Sequence, residues 1–145
     1  MSQKDDFDLR NFLPFLLNQA AEESSLEFQR VYKNRYGMLR TEWRVLFHLG
    51  IFGEMTAKEI GTRAKIHKTK ISRAVQKLEE RRYLTRERDE NDRRVERLAL
   101  TQAGRAAYNE LRGIAEQYDN RLAAHFTTGE AALLRMMLRR LAGLE

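Results

Sequence analysis

Residues 58–97 read KEIGTRAKIHKTKISRAVQKLEERRYLTRERDENDRRVER, and the fold turns on how this stretch divides. It holds 14 Lys/Arg against 8 Asp/Glu, a surplus of 6 that equals the formal net charge of the chain; of 27 basic and 21 acidic residues in all, 13 of each lie outside it. A cation excess this local points to a polyanionic partner, because clustered cations gain by displacing counterions condensed on phosphate backbones. Nucleic acid is the first candidate.

The stretch divides by its punctuation. Thr56-Ala57-Lys58-Glu59 is a capping-box pattern that opens a short helix to about Ala64, with Ile60 and Ala64 on its inner side. After a turn at Lys65-Ile66-His67, a second helix is predicted from Lys68 to Arg82. At 100° per residue, Ile71, Ala74, Val75 and Leu78 gather on one side of it, opposite Thr69, Arg73, Gln76 and Glu80. That outer face has base-reading chemistry. Arg73 can donate twice to guanine, Gln76 can bond adenine bidentately, and Thr69 can offer a hydroxyl or touch a thymine methyl. Lys68, Lys70, Ser72 and Lys77 flank the face where phosphates would lie, and Glu79 and Glu80 should turn away. A basic helix taken alone is more often a solvated face. The helix before it and the hairpin after it shift the reading to DNA.

From Tyr83 the pattern becomes strand-like, Tyr83 to Arg88 and Arg94 to Thr101, around the turn-rich Asp89-Glu90-Asn91-Asp92. Arginines at such a tip, Arg93 and Arg94 together, can enter a narrow minor groove, with Asp92 fixing their orientation. Outward from this unit the chain reads as helix. Phe12, Leu13, Leu16, Leu17, Ala20, Phe28, Val31 and Tyr32 predict a helix from about Asn11 to Tyr36, with Pro14 in its first turn and Gly37 as a left-handed stop. Its weaker centre, Glu22 to Ser25, reads as a bend or a solvent-facing turn. Thr41 is expected to cap a helix to about Phe52, Thr101 a long helix to about His125, and Thr127 a last helix carrying Leu133, Leu134, Met137, Leu138 and Leu141 on one side. These flanking stripes exceed what one small domain buries, which suggests pairing with a second copy.

Composition narrows the function classes. At 42% hydrophobic and 33% charged, the 145 residues suit one globular unit. With Cys 0 there is no disulfide, thiolate metal site or thiol sensor. The apolar run Phe12 to Leu17 is too short to cross a bilayer, so a cytoplasmic protein with no membrane partner is expected. His48, His67 and His125 are too dispersed for a zinc site, and no nucleophile elbow, phosphate-cradling glycine loop or paired carboxylates suggest catalysis; no catalytic or metal residue is assigned. His67 can touch a phosphate, and His48 reads as partly buried with a backbone partner.

The helix pair, the hairpin and the string Asp89-Glu90-Asn91-Asp92-Arg93-Arg94 followed by Leu98-Ala99-Leu100-Thr101-Gln102-Ala103-Gly104 resemble the winged-helix repressors of the MarR family. Ile71 to Glu79 likewise resembles that family's recognition helix. The resemblance covers nearly the whole chain and implies a mainly α (α+β) fold: a winged helix-turn-helix with a two-stranded wing, between N- and C-terminal dimerisation helices. It implies the regions 1–40, 41–101 and 102–145 for these three parts of one compact protomer. It further implies a homodimeric, sequence-specific regulator on a pseudo-palindromic operator in double-stranded DNA, usually a repressor released by a small, often aromatic, effector. No cofactor is expected. Tyr36, Trp43, Phe47 and Tyr118 are the candidates for an effector pocket, although aromatic residues at helical spacing are more often simple core. Many members have glycine where Arg82 stands, so the reading helix is expected to end there on a less favourable cap. A nonspecific architectural DNA binder and a winged-helix protein-interaction module remain as alternatives.

Overall fold

The computed structural model describes residues 4–144; residues 1–3 and Glu145, the outermost ends of the regions 1–40 and 102–145, lie outside the described residues. Six helices, α1 (Leu13–Tyr36), α2 (Arg40–Phe52), α3 (Ala57–Ala64), α4 (Lys68–Glu80), α5 (Gln102–Ala123) and α6 (Thr128–Ala142), surround three short strands, β1 (Met55–Thr56), β2 (Leu84–Arg88) and β3 (Glu96–Leu100). The sheet is antiparallel in the order β1-β3-β2, so the expected two-stranded wing gains a third strand at its root. Met55 pairs with Leu98 and Thr56 with Arg97. Two residues are too few to show a period of two, which is why β1 leaves no pattern in the sequence.

Local chemistry sets most boundaries. α1 begins after a single 3₁₀ turn at Leu9–Asn11, with Pro14 in its first turn and Gly37 in the left-handed region (φ 63°) at its end. The stretch Glu22 to Ser25 is a continuous turn of α1 in which Glu22 and Glu23 face solvent while Ser24 and Ser25 are half-buried, and the Ser25 hydroxyl donates to the Glu22 carbonyl at 3.1 Å. The expected cap at Thr41 is displaced: α2 starts two residues earlier, behind Leu39, and the Glu42 carboxylate reaches back to accept from the Leu39 N–H at 2.9 Å. Leucine has no side-chain acceptor, so an acid in the third helical position satisfies the orphan donor alone. Thr56, Thr101 and Thr127 cap α3, α5 and α6, each through its hydroxyl oxygen.

The core lies where α2, α4, the root of the sheet and the start of α5 converge. Val45, Leu46, Ile60, Ile71, Leu78, Leu84, Leu98 and Leu111 are at most 2% exposed. Each such side chain contributes on the order of 1.5–3 kcal/mol when removed from water. The outer helices differ. α6 buries none of its residues, and Leu13, Leu133, Met137 and Leu141 stand 46–64% exposed along α1 and α6.

The string Leu98-x-Leu100-Thr101-x-x-Gly104 has a structural reason. The Thr101 hydroxyl donates to the Arg82 carbonyl at 2.6 Å and accepts from the Gly104 N–H at 3.0 Å, tying the wing root to the start of α5. A Cβ on Gly104 would lie 2.0 Å from the Tyr83 carbonyl oxygen, so only glycine fits this approach.

Candidate nucleic-acid interface

α4 presents the predicted faces. Ile71, Ala74, Val75 and Leu78 are buried, whereas Lys68, Thr69, Lys70, Ser72, Arg73, Gln76 and Lys77 are all exposed. His67 caps the helix, its Nδ1 accepting from the Thr69 N–H at 3.2 Å, and the first turn carries no acid. Positive helix dipole and side-chain cations therefore act together at this end. Between α3 and α4 runs a groove of about 620 Å³ lined by Lys58, Thr62, Lys68 and Ser72 among others.

Ion pairing separates free cations from occupied ones. Glu79 does not face away but turns to the wing, where its carboxylate meets Arg86 Nε at 3.0 Å; Glu96 takes the other side of Arg86 at 3.4 Å and Arg88 at 3.5 Å. Arg86 and Arg88, along β2, are thus spent on acids beside them. Lys68, Lys70, Arg73 and Lys77 have no ion pair among the described residues, so their charge is available to a partner. Gln76 is less free, because its Nε2 donates to the adjacent Glu80 carboxylate at 3.3 Å, a bond that must open before Gln76 can engage a base edge in two places.

At the wing tip, two aspartates build the turn. Asp89 Oδ1 accepts from the Asn91 and Asp92 N–H groups at 2.8 and 3.4 Å, and Asp92 Oδ1 accepts from both the backbone N–H and the Nε of Arg94 at 3.1 and 3.2 Å. The Arg94 side chain is held through Nε alone rather than in a bidentate pair, and at 91% exposure its two terminal nitrogens remain free to donate. Arg93 is also exposed.

The four candidate pocket residues separate into two places. Trp43 and Phe47 pack edge to face at 5.0 Å, Phe28 bridges them to Tyr118 at 5.5 Å (Trp43) and 6.3 Å (Tyr118), and Tyr108 closes the cluster on Phe47 at 5.3 Å. Tyr36 sits apart, against Tyr83 at 6.1 Å, with its hydroxyl donating to Glu110 at 2.6 Å. Burial, then that bond, pushes the Tyr36 phenol up to about 12. An apolar cavity of about 650 Å³ lies elsewhere, between α1, α5 and α6, lined by Leu16, Ala20, Leu122, Phe126, Leu134 and Leu138 among others.

Two residues that sequence reasoning missed join α4 to its surroundings. Glu42 is buried at 2% exposure, and Arg81, which ends α4, approaches its Oε1 at 3.8 Å. Leu39-x-x-Glu42 was the available signal, hidden because leucine does not read as a cap.

The helix pair and wing have counterparts among known proteins. The MarR family model matches residues 36–95, the span from the end of α1 through the wing tip. Over that span the chain is similar to the MarR family. Over 91 residues it is 29% identical to the HTH-type transcriptional regulator YwoH of Bacillus subtilis, a match spanning 63% of this chain and 66% of that protein. It is 28% identical over 120 residues to the HTH-type transcriptional regulator SarZ of Staphylococcus saprophyticus, covering 83% of this chain and 81% of the relative. The crystal structure of a MarR-family transcriptional regulator from Silicibacter pomeroyi superposes with a TM-score of 0.81 at 28% identity, covering 96% and 98% of the two chains. These relatives are named as transcriptional regulators, and the chain shares the winged-helix fold of the solved structure. No helix among the described residues is long and apolar enough to cross a membrane.

Proposed function

We propose that the protein binds double-stranded DNA sequence-specifically as a homodimer on a pseudo-palindromic operator, acting in the cytoplasm as a repressor. The observation that carries this reading is the exposed face of α4, on which Lys68, Lys70 and Lys77, without ion pairs among the described residues, surround Arg73, Gln76 and Thr69, with Arg94 held out at the wing tip. Arg73, Gln76 and Thr69 read base edges in the major groove; Lys68, Lys70, Ser72 and Lys77 hold phosphates; Arg93 and Arg94 enter the minor groove, Arg94 steadied by Asp92. The uncovered apolar sides of α1 and α6 supply the dimer contact.

Two copies present two reading helices, which enter successive major grooves when set about 34 Å apart. A small aromatic effector acting at the Trp43, Phe47 and Tyr118 cluster, with Tyr36 at the neighbouring α1–α5 contact, would change that spacing and release the DNA. Selecting bound fragments from genomic DNA tests the reading. The expected product is one inverted repeat with half-sites roughly 10 base pairs apart, bound by a protein that sediments as a dimer. Recovery of unrelated fragments would favour an architectural binder, and a monomer at micromolar concentration would remove the symmetric operator.

A further inference from the structure

The reading helix α4 is gripped at both ends by cations that reach the C-terminal carbonyls of the two outer helices. At its trailing end Arg81 donates through Nη1 to the Tyr36 carbonyl at 2.9 Å and to the Gly37 carbonyl, while its charge faces buried Glu42 at 3.8 Å. At its leading end Lys65, in the turn between α3 and α4, donates through Nζ to the Ala142 carbonyl in the last turn of α6. Both acceptors are helix C-termini, where unsatisfied carbonyls concentrate partial negative charge and favour a cation.

Local detail supports a built arrangement. A Cβ on Gly37 would come within 3.0 Å of Arg81 Nη1, and one on Gly143 within 3.3 Å of Lys65 Nζ, so each cation sits against a glycine in the left-handed region. Glu42 Oε1 is buried with no hydrogen-bond partner and has Arg81 as its counter-charge. Neither Lys65 nor Arg81 lies on the face of α4 that carries Arg73, Gln76 and Thr69.

We propose that Lys65 and Arg81 are positioning residues: they register the reading helix against α6 and α1, and thereby fix the separation of the two reading helices in the dimer. The inference rests on the dimeric operator reading above. Without the two grips α4 still folds and still meets a half-site, but its distance from the dimer frame is no longer set. Spacing discrimination falls while half-site recognition remains.

The test is a titration of Lys65→Met and Arg81→Met, beside the wild type, on operators whose half-sites are moved apart or together by one and two base pairs, and on a single half-site. The wild type should prefer the native spacing by about tenfold or more, the range of ordinary coupling between sites. The variants should keep half-site affinity within about twofold while that preference drops to about threefold or less, with partial recovery in Arg81→Lys, which retains one donor to the carbonyls. Variants that keep the wild-type preference, whatever their absolute affinity, overturn the proposal. If Arg81→Met fails to fold, Lys65→Met and Arg81→Lys carry the same comparison. A wild type indifferent to spacing would instead sink the dimeric operator reading, and this inference with it.

Discussion

Replacing Arg82 by glycine should stabilise the protein, and the reason lies in one backbone angle. Arg82 holds φ at 65°, in the left-handed region, immediately after α4. Its N–H donates to the Glu79 carbonyl at 2.9 Å and the next N–H, of Tyr83, donates to the Leu78 carbonyl at 2.9 Å, the pair of bonds by which a Schellman motif closes a helix. For a residue with a Cβ this conformation costs about 1–2 kcal/mol. Glycine removes that cost but loses roughly 0.5–1 kcal/mol to the greater freedom of its unfolded chain. The hydrogen bonds at Arg82, including that from the Thr101 hydroxyl to its carbonyl at 2.6 Å, use backbone atoms that glycine keeps. The Arg82 side chain is exposed and has no ion pair among the described residues, so little is lost with it. The balance is a gain of about 0.5–1 kcal/mol, or a melting temperature higher by about 2–5 °C for a chain of this size. Urea melts at fixed protein concentration should show a raised midpoint at unchanged slope, and Arg82→Val should move the midpoint the other way. A destabilised Arg82→Gly would refute the strain argument.

Further outcomes follow from the same geometry. Arg73→Ala should cost about 1–3 kcal/mol of operator binding and relax base choice, whereas Lys77→Ala should weaken all sequences alike and reduce the salt slope by about one; equal, sequence-blind losses would remove Arg73 as a reader. Gly104→Ala forces a Cβ to 2.0 Å from the Tyr83 carbonyl, a backbone atom that cannot swing aside, so chemical denaturation should report a loss of about 3 kcal/mol or more. Because the folded state pushes the Tyr36 phenol from 10.0 up to about 12, its proton stabilises the fold fully below pH 10 and that contribution is lost as pH rises toward 12. Tyr36→Phe should therefore remove a late step from the alkaline absorbance titration, and a titration unchanged by the substitution would contradict the assignment.

Helical periodicity and capping threonines made most of the architecture legible. Ile71, Ala74, Val75 and Leu78 named the buried side of α4, and Thr56, Thr101 and Thr127 named three helix starts, because each signal is local. What escaped was non-local or concealed. β1 is two residues long and exists only because β3 lies beside it. The start of α2 was misplaced at Thr41, since the true cap uses a carboxylate reaching backward from Glu42 to Leu39. Glu79 was expected to turn away, but Arg86, seven residues further along, draws its carboxylate to the wing. Among the pocket candidates, Trp43, Phe47 and Tyr118 share a cluster through Phe28, while Tyr36 lies one helical turn beyond Tyr32 and faces Tyr83 instead. Sequence spacing placed each aromatic on a helix face without saying which faces meet.

The central claim, that the exposed side of α4 reads sequence, is tested most directly by titrating the protein against its selected site and against unrelated duplex of equal length at one stated salt concentration. The account predicts that the selected site binds tighter by roughly 10³-fold or more. Equal affinity for both duplexes would contradict it.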